Sequence, residues 1–319
     1  HSMSINTLAL RLAFLLLLGM SHFARADCST ISSSGNFGTV SSFTLASTAE
    51  TVETGSGFTC SGGLLTLLST NTITATLASS TGESGTTPQM VSSSGASFPY
   101  TICAASDCSS TYSIGQTITW TSTSLLGLLG LFNSSDGTLP LYIHTTAGLN
   151  VPAGTYTDTI VINWNYNICF IGLLGLCVYT NGTATSTVVF SAIVTNDCAI
   201  VDAPDVDFGS AALPANFASI ASALTVRCTK NAAYKINLTS SNPLSGDFRQ
   251  MASTSDGTTH YLLYQFYQPD GTAWTTDNDL SETGTGDSQT VNYTATVDTA
   301  QTNKPAGSYT DTVTVTVTY

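Results

Sequence analysis

Charge is scarce in this sequence. Charged residues make up 8% of its 319 positions, and from Asp27 to Val194 there is no Lys or Arg at all. Beyond that stretch only Arg227, Lys230, Lys235, Arg249 and Lys304 are basic. A nucleic-acid partner requires a basic footprint on its phosphates, so nucleic acid is excluded. Recognition of anionic lipid or sialic acid through salt bridges falls for the same reason. The formal net charge of -13 speaks to solubility rather than to a partner. Helical periodicity is missing too, and Thr, Val, Ile, Tyr and Phe favour strands. Histidine is nearly absent: beyond residue 26 only His144 and His260 remain, one in each half. There is no G-x-S-x-G elbow. Asp202, Asp205 and Asp207 read as an exposed acidic turn rather than a calcium site. Asp277 and Asp279 open like an EF-hand loop, but Glu282 stands where that loop needs glycine. The reading is a non-enzyme with neither metal nor cofactor.

What is present at the start is an export signal. His1 and Ser2 read as a tag remnant and Met3 as the native start. Arg11, the apolar run Leu12–Met20 and the Ala24-Arg25-Ala26 cleavage pattern complete a secretory signal over 1–26. The run is too short to span a membrane as a helix. Cleavage would leave Asp27-Cys28 as the new N-terminus. All eight cysteines lie beyond the signal, and none forms a C-x-x-C pair. An even count in an exported chain points to disulfides.

The chain then repeats itself. Pro152-Ala153-Gly154-Thr155-Tyr156-Thr157-Asp158-Thr159 returns as Pro305-Ala306-Gly307-Ser308-Tyr309-Thr310-Asp311-Thr312. Asp27-Cys28 returns as Asp197-Cys198, Asn36-Phe37-Gly38 as Asp207-Phe208-Gly209, and Cys60 as Cys228. The repeat implies two domains, 27–194 and 195–319. The matching positions pair Cys28 with Cys60 and Cys198 with Cys228, each bridge contributing about 2–4 kcal/mol. Cys103 and Cys108 form a smaller local bridge. Period-two runs such as Ile160, Ile162, Trp164, Tyr166 and Val313, Val315, Val317, Tyr319 suggest Greek-key β-sandwiches, with a barrel as the alternative.

The repeat is incomplete. After its motif strand the first domain continues into a further strand, roughly Thr187–Val194, with Val188, Phe190, Ala192 and Val194 on one face. The second domain stops at Tyr319. A missing strand leaves an unpaired edge at Val313, Val315, Val317 and Tyr319, which another chain must fill by donor-strand complementation. Closure by a different topology is the alternative.

The cysteine near each domain's start, the Phe-Gly after it and the terminal P-A-G-x-Y-x-D-x-[VI] strand resemble the spore coat protein U family, which includes the archaic chaperone–usher pilins. The resemblance covers both domains. It implies tandem immunoglobulin-like sandwiches, the second lacking one strand that the next subunit supplies. With only Asp27 ahead of Cys28, the processed chain would accept a strand and donate none. That layout is similar to the two-domain tip adhesins of Csu-type pili. It implies passage through the periplasm to the pilus tip at the cell surface, with a pilus chaperone, an outer-membrane usher and the next subunit as partners.

Three segments of the first domain have no counterpart in the second. The first contains Leu64, Leu65, Leu67 and Leu68; the second Leu125, Leu126, Leu128, Leu129, Leu131 and Phe132; the third Ile171, Leu173, Leu174 and Leu176, clasped by Cys169 and Cys177. Leucine with interspersed glycine makes poor strands. Contiguous exposed apolar surface marks an interaction site, and each buried Leu is worth roughly 1.5–3 kcal/mol. The segments therefore read as loops gripping hydrophobic surfaces, abiotic ones included, in attachment and biofilm formation. The alternatives are ordinary core packing within a structural pilin or coat subunit, a glycan-binding lectin using Trp120 or Trp164, and membrane insertion.

Overall fold

The computed structural model describes residues 27–61, 70–125, 138–171 and 176–319. The signal expected over 1–26 lies outside them. No helix among the described residues is long and apolar enough to cross a membrane.

Alternation builds the strands. In Thr72–Ser80, Ile73, Ala75 and Leu77 turn inward and are fully buried, while Thr72, Thr74 and Thr76 face outward. The largest sheet of the first domain runs Thr117–Thr121, Thr72–Ser80, Gly154–Ile171, Cys177–Thr195, Ser33–Ser41. Its centre is one long antiparallel hairpin, paired from Gly154↔Val194 to Ile171↔Cys177. Ser33–Ser41 then joins Cys177–Thr195 in parallel, Val188↔Ser33 through Thr195↔Ser41. A second sheet of Thr51–Gly55, Pro140–His144, Thr101–Cys103 and Thr111–Tyr112 contributes Ile102, Leu141 and Ile143 to the same core. Trp164 sits at its heart. Phe58 stacks on it at 4.5 Å and Trp120 at 5.8 Å, and its Nε1–H donates to Ser186 Oγ at 2.7 Å.

The second domain has a five-stranded sheet, Cys198–Asp202, Ile220–Cys228, Ser288–Val297, His260–Tyr267, Arg249–Ser253. Its other sheet has three strands, Leu280–Thr283, Ala233–Ser240, Val313–Thr318. Four disulfides join Cys28–Cys60, Cys103–Cys108, Cys169–Cys177 and Cys198–Cys228.

The repeated motifs now have physical reasons. Tyr156 donates its hydroxyl to Pro152 O at 2.6 Å and Tyr309 to Pro305 O at 2.7 Å, corners that fix the entry into each motif strand. Asp158 is buried and accepts from Ser80 Oγ, Thr81 Oγ1, Gly82 N and Tyr100 OH at 2.5–2.9 Å. Burial, then the neighbouring Asp158, push the Tyr100 hydroxyl well above its usual range. Asp311 repeats the role more sparsely, accepting from Asn242 N and Tyr264 OH. Asn36 and Asp207 each accept the amide of the glycine two residues on, Gly38 and Gly209, at 2.7 and 2.8 Å. Both glycines have positive φ, 74° and 75°, which a side chain would strain. The turn after Phe37 therefore recurs at Phe208.

The domains meet through the helix Ser42–Ser47 and a neighbouring loop. Arg227 lies 4.1 Å over the Phe43 ring, Ser42 Oγ and Thr229 Oγ1 share a buried 2.7 Å bond, and Asn150 Nδ2 donates to Thr285 O at 3.0 Å.

Replacing Asp158 with Ala strands buried donors that it now accepts, and should cost the first domain about 3 kcal/mol in denaturant unfolding. Asp311→Ala, with fewer and less buried partners, should cost less. Equal costs would contradict this account of the motif.

Candidate functional sites

The first site is a groove. In the first domain the motif strand Gly154–Ile171 is flanked on its far side by Cys177–Thr195. In the second, Val313–Thr318 pairs with Ala233–Ser240 alone among the described residues, from Ser240↔Val313 to Lys235↔Thr318. In place of the flanking strand is a cavity of about 940 Å³. One wall is 203–210 and the other 307–315, with Leu224, Leu238 and Phe266 among the residues that line it. The first domain fills the matching space itself. Val188, Phe190, Ala192 and Val194 point inward there and are at most 2% exposed. Phe37, the counterpart of Phe208, is buried, whereas Phe208 is half-buried and faces the cavity. Residues 203–210 form no strand, since no described residue supplies the neighbour against which their counterpart Ser33–Ser41 pairs.

Of the predicted edge residues, Val313 and Val315 line the cavity. Val317 packs against the core but lies beyond the cavity. Tyr319 is 56% exposed and reaches Asp197 Oδ1 at 3.4 Å, so it belongs to the strand's outer end rather than to the groove. Deep in the groove, Tyr264 donates to Asp311 Oδ2 at 2.6 Å; burial, then that bond, raise its hydroxyl above the usual range.

The second site is one pole of the first domain. Asn71 ends the Leu64–Leu68 segment and is 1% exposed. Its backbone N–H and its amide both donate to Ser122 Oγ, at 2.9 and 3.1 Å, and its Oδ1 accepts Cys169 N–H at 2.7 Å. Ser122 precedes the second leucine segment, and Cys169 is the base of the third. On the return side, Leu139 N–H donates to Phe58 O at 2.9 Å, joining the exit of the second segment to the strand that enters the first. One buried amide thus gathers the roots of three insertions at one end of the sandwich.

Leu64, Leu65, Leu67, Leu68, Leu126, Leu128, Leu129, Leu131, Phe132, Leu173 and Leu174 lie outside the described residues. Ile171 ends its strand, and its side chain is outside the description. Leu176 is described and is 66% exposed. Leu125 corrects the expectation from sequence. It is fully buried in the core, because the short helix Ser122–Leu125 turns it inward. Trp120 and Trp164 are equally core residues and offer no aromatic platform. Two residues unnoticed in the sequence extend the apolar end of the third segment: Val178 and Tyr179, 54% and 47% exposed. Asn71 was also missed, although it was legible. It has the parity of Ile73, Ala75 and Leu77, and a polar residue at an inward position has to be satisfied there.

His144 Nδ1 bonds Thr51 Oγ1, and His260 Nε2 lies 2.7 Å from Asp256 Oδ2 on the surface. No cluster of metal-ligating side chains occurs among the described residues.

Fusing residues 182–195 behind Tyr319 through a tight turn keeps the first domain's register, in which Tyr166 meets Gly182 and Asp158 meets Phe190, and should fill the groove and raise the second domain's melting temperature. The same fusion with Phe190→Asp should not, because it puts a charge where the first domain buries a ring. If both fusions stabilise equally, the cavity is not a strand site. At the pole, Asn71→Ala should cost about 1–3 kcal/mol, since it removes the buried acceptor of Cys169 N–H and the side-chain bond to Ser122; denaturant unfolding of the first domain reads it.

The Spore Coat Protein U domain model matches residues 15–163 and 184–316. Among solved structures, the chain is similar to the complex of the CsuC chaperone with the CsuE tip adhesion subunit, from archaic chaperone–usher Csu pili of Acinetobacter baumannii. The match is 26% identical, covers 92% of this chain and 100% of the other, and has a TM-score of 0.57. The CupB6 tip adhesin of Pseudomonas aeruginosa matches at 12% identity over 92% and 94% of the chains, TM-score 0.37. No curated protein matches at a significant level. With the family model covering most of both repeats, the chain belongs to the Spore Coat Protein U domain family.

Proposed function

We propose that this protein is the tip adhesin of an archaic chaperone–usher pilus, attaching cells to hydrophobic surfaces and so promoting biofilm formation. Residues 27–194 are the adhesive domain and 195–319 the pilin domain. The observation that supports the reading is that Asn71 bonds both Ser122 and Cys169, which brings the described roots of three Leu/Gly insertions together. Loops rooted at one end of a sandwich can touch one surface together. The exposed Leu176, Val178 and Tyr179 supply apolar area there. Leucine and glycine carry no charge, so pressing them against plastic or wax involves little desolvation cost. The Cys169–Cys177 clasp limits the freedom that the third loop loses on contact. Weak contacts per molecule suffice when many pili bind at once.

The groove at Val313 and Val315 accepts the extended segment of the next pilus subunit. Before assembly, a periplasmic chaperone covers the same edge and delivers the subunit to an outer-membrane usher. This reading rests on the open edge and cavity, and on likeness to a tip subunit crystallised with its chaperone. Neither nucleic acid nor a cofactor has a part in it.

The test replaces Leu128, Leu129, Leu173 and Leu174 with serine in piliated cells and counts attachment to polystyrene. Electron microscopy of pilus number serves as the control. Normal pili with attachment reduced about tenfold are expected. Normal pili with full attachment would sink the reading, and lost pili would return the leucines to the core.

A further inference from the structure

On the outer face of the first domain's largest sheet, the strand registers bring twelve short, uncharged polar side chains into a grid. Thr117 pairs with Thr76, Thr76 with Asn163, and Asn163 with Thr185. The next row is Thr119, Thr74, Asn165, Thr183 and the third is Thr121, Thr72, Asn167, Asn181. All are exposed or half-exposed. Their inward neighbours, among them Ile73, Ile118, Trp164 and Ile168, are core. Strand geometry sets the spacings, about 4.8 Å between strands and about 6.7 Å between rows. Between the second, third and fourth columns lies a hollow of about 520 Å³, bounded by Thr74, Thr76, Asn163, Asn165, Thr183 and Thr185.

Part of the grid is set by its own bonds. Thr76 Oγ1 and Thr117 Oγ1 are 2.9 Å apart, and Thr185 Oγ1 donates to Asn163 Oδ1 at 3.2 Å. The side-chain amides of Asn165 and Asn167 and the hydroxyls of Thr119 and Thr183 make no bond to a described residue and face outward. Threonine and asparagine lose little side-chain entropy when held, and threonine is already stiff on a strand. The third row adjoins Asn71, Ser122 and Cys169, so the grid runs up to the roots of the three leucine segments.

We infer that this grid is a second binding face, for an extended neutral polysaccharide of the β-linked type. Three features select that occupant. The face offers paired donors and acceptors without charge, which matches a ligand of neutral hydroxyls. The absence of Lys and Arg from 27–194 leaves no cation on this domain to pair with an anionic polymer. Sheet twist carries the rows out of a plane, which a bendable chain can follow and a flat crystal face cannot. Each hydrogen bond is worth only about 0.5–1.5 kcal/mol net, so affinity accumulates along a row. The inference does not depend on the hydrophobic-loop reading.

The experiment is retention of the purified full-length chain on amorphous cellulose, with alginate gel and polystyrene beads in parallel. Wild type should be retained on cellulose and not on alginate. Asn163→Ala, Asn165→Ala and Thr183→Ala together should weaken retention about tenfold, with polystyrene adsorption and melting temperature unchanged. Should the triple variant unfold, Thr119→Val with Thr183→Val keeps the strand and deletes two of the outward hydroxyls; retention should fall there too. The Leu173→Ser, Leu174→Ser chain should lose polystyrene and keep cellulose, which separates this inference from the loop reading. It is overturned if wild type passes through cellulose, if alginate retains it equally, or if the grid variants bind as wild type does.

Discussion

A β-strand with one side unpaired governs this molecule. The motif strand occurs twice, and each copy needs a neighbour on its second side. In the first domain the neighbour is the chain's own continuation, which adds a full ladder of backbone bonds and buries Val188, Phe190, Ala192 and Val194. At roughly 1.5–3 kcal/mol for a buried Val or Phe, that strand is a large share of a domain's marginal stability. In the second domain no described residue supplies the neighbour, and the same need becomes an open groove lined by Phe208, Val313 and Val315. A free edge beside exposed apolar residues is a hazard in solution and a strong, specific joint when a partner strand arrives.

The same architecture explains why the two copies diverge elsewhere. The first domain's sequence carries long insertions, and their described roots are tied together by Asn71, Ser122 and Cys169. The second domain keeps short turns. Its tie to the first is small but specific: Arg227 over Phe43, Ser42 against Thr229, Asn150 against Thr285.

Low charge has a structural side as well. Where ordinary sandwiches use Lys and Glu on their outer faces, this one uses Thr and Asn in register. Short side chains leave backbone and sheet geometry close to the surface, so the outer face inherits the periodicity of the strands. Solubility then rests on hydroxyls, amides and a sparse excess of carboxylates.

Much of this was legible in residues. The duplication of P-A-G-x-Y-x-D fixed two all-β units, because a tyrosine corner and a buried aspartate demand the same local geometry wherever they occur. The pairs Cys28–Cys60 and Cys198–Cys228 came from matched positions, and Cys103–Cys108 and Cys169–Cys177 from proximity in sequence. The open edge was expected from the strand that follows the motif in the first domain, and among the described residues Val313–Thr318 pairs with Ala233–Ser240 alone. Side-chain parity along Ile160–Tyr166 gave the core. Other features needed three dimensions. Leu125 looked like its leucine neighbours but is core, since the helix Ser122–Leu125 turns it inward, and a run of leucines carries no parity to reveal that. Tyr319 shares its strand's alternation with Val315, yet the cavity ends before it reaches that residue. The gathering of three insertions by Asn71 and the grid of threonines and asparagines both depend on registers between strands far apart in sequence. Alternation says which face a side chain takes; only pairing says which side chains become neighbours.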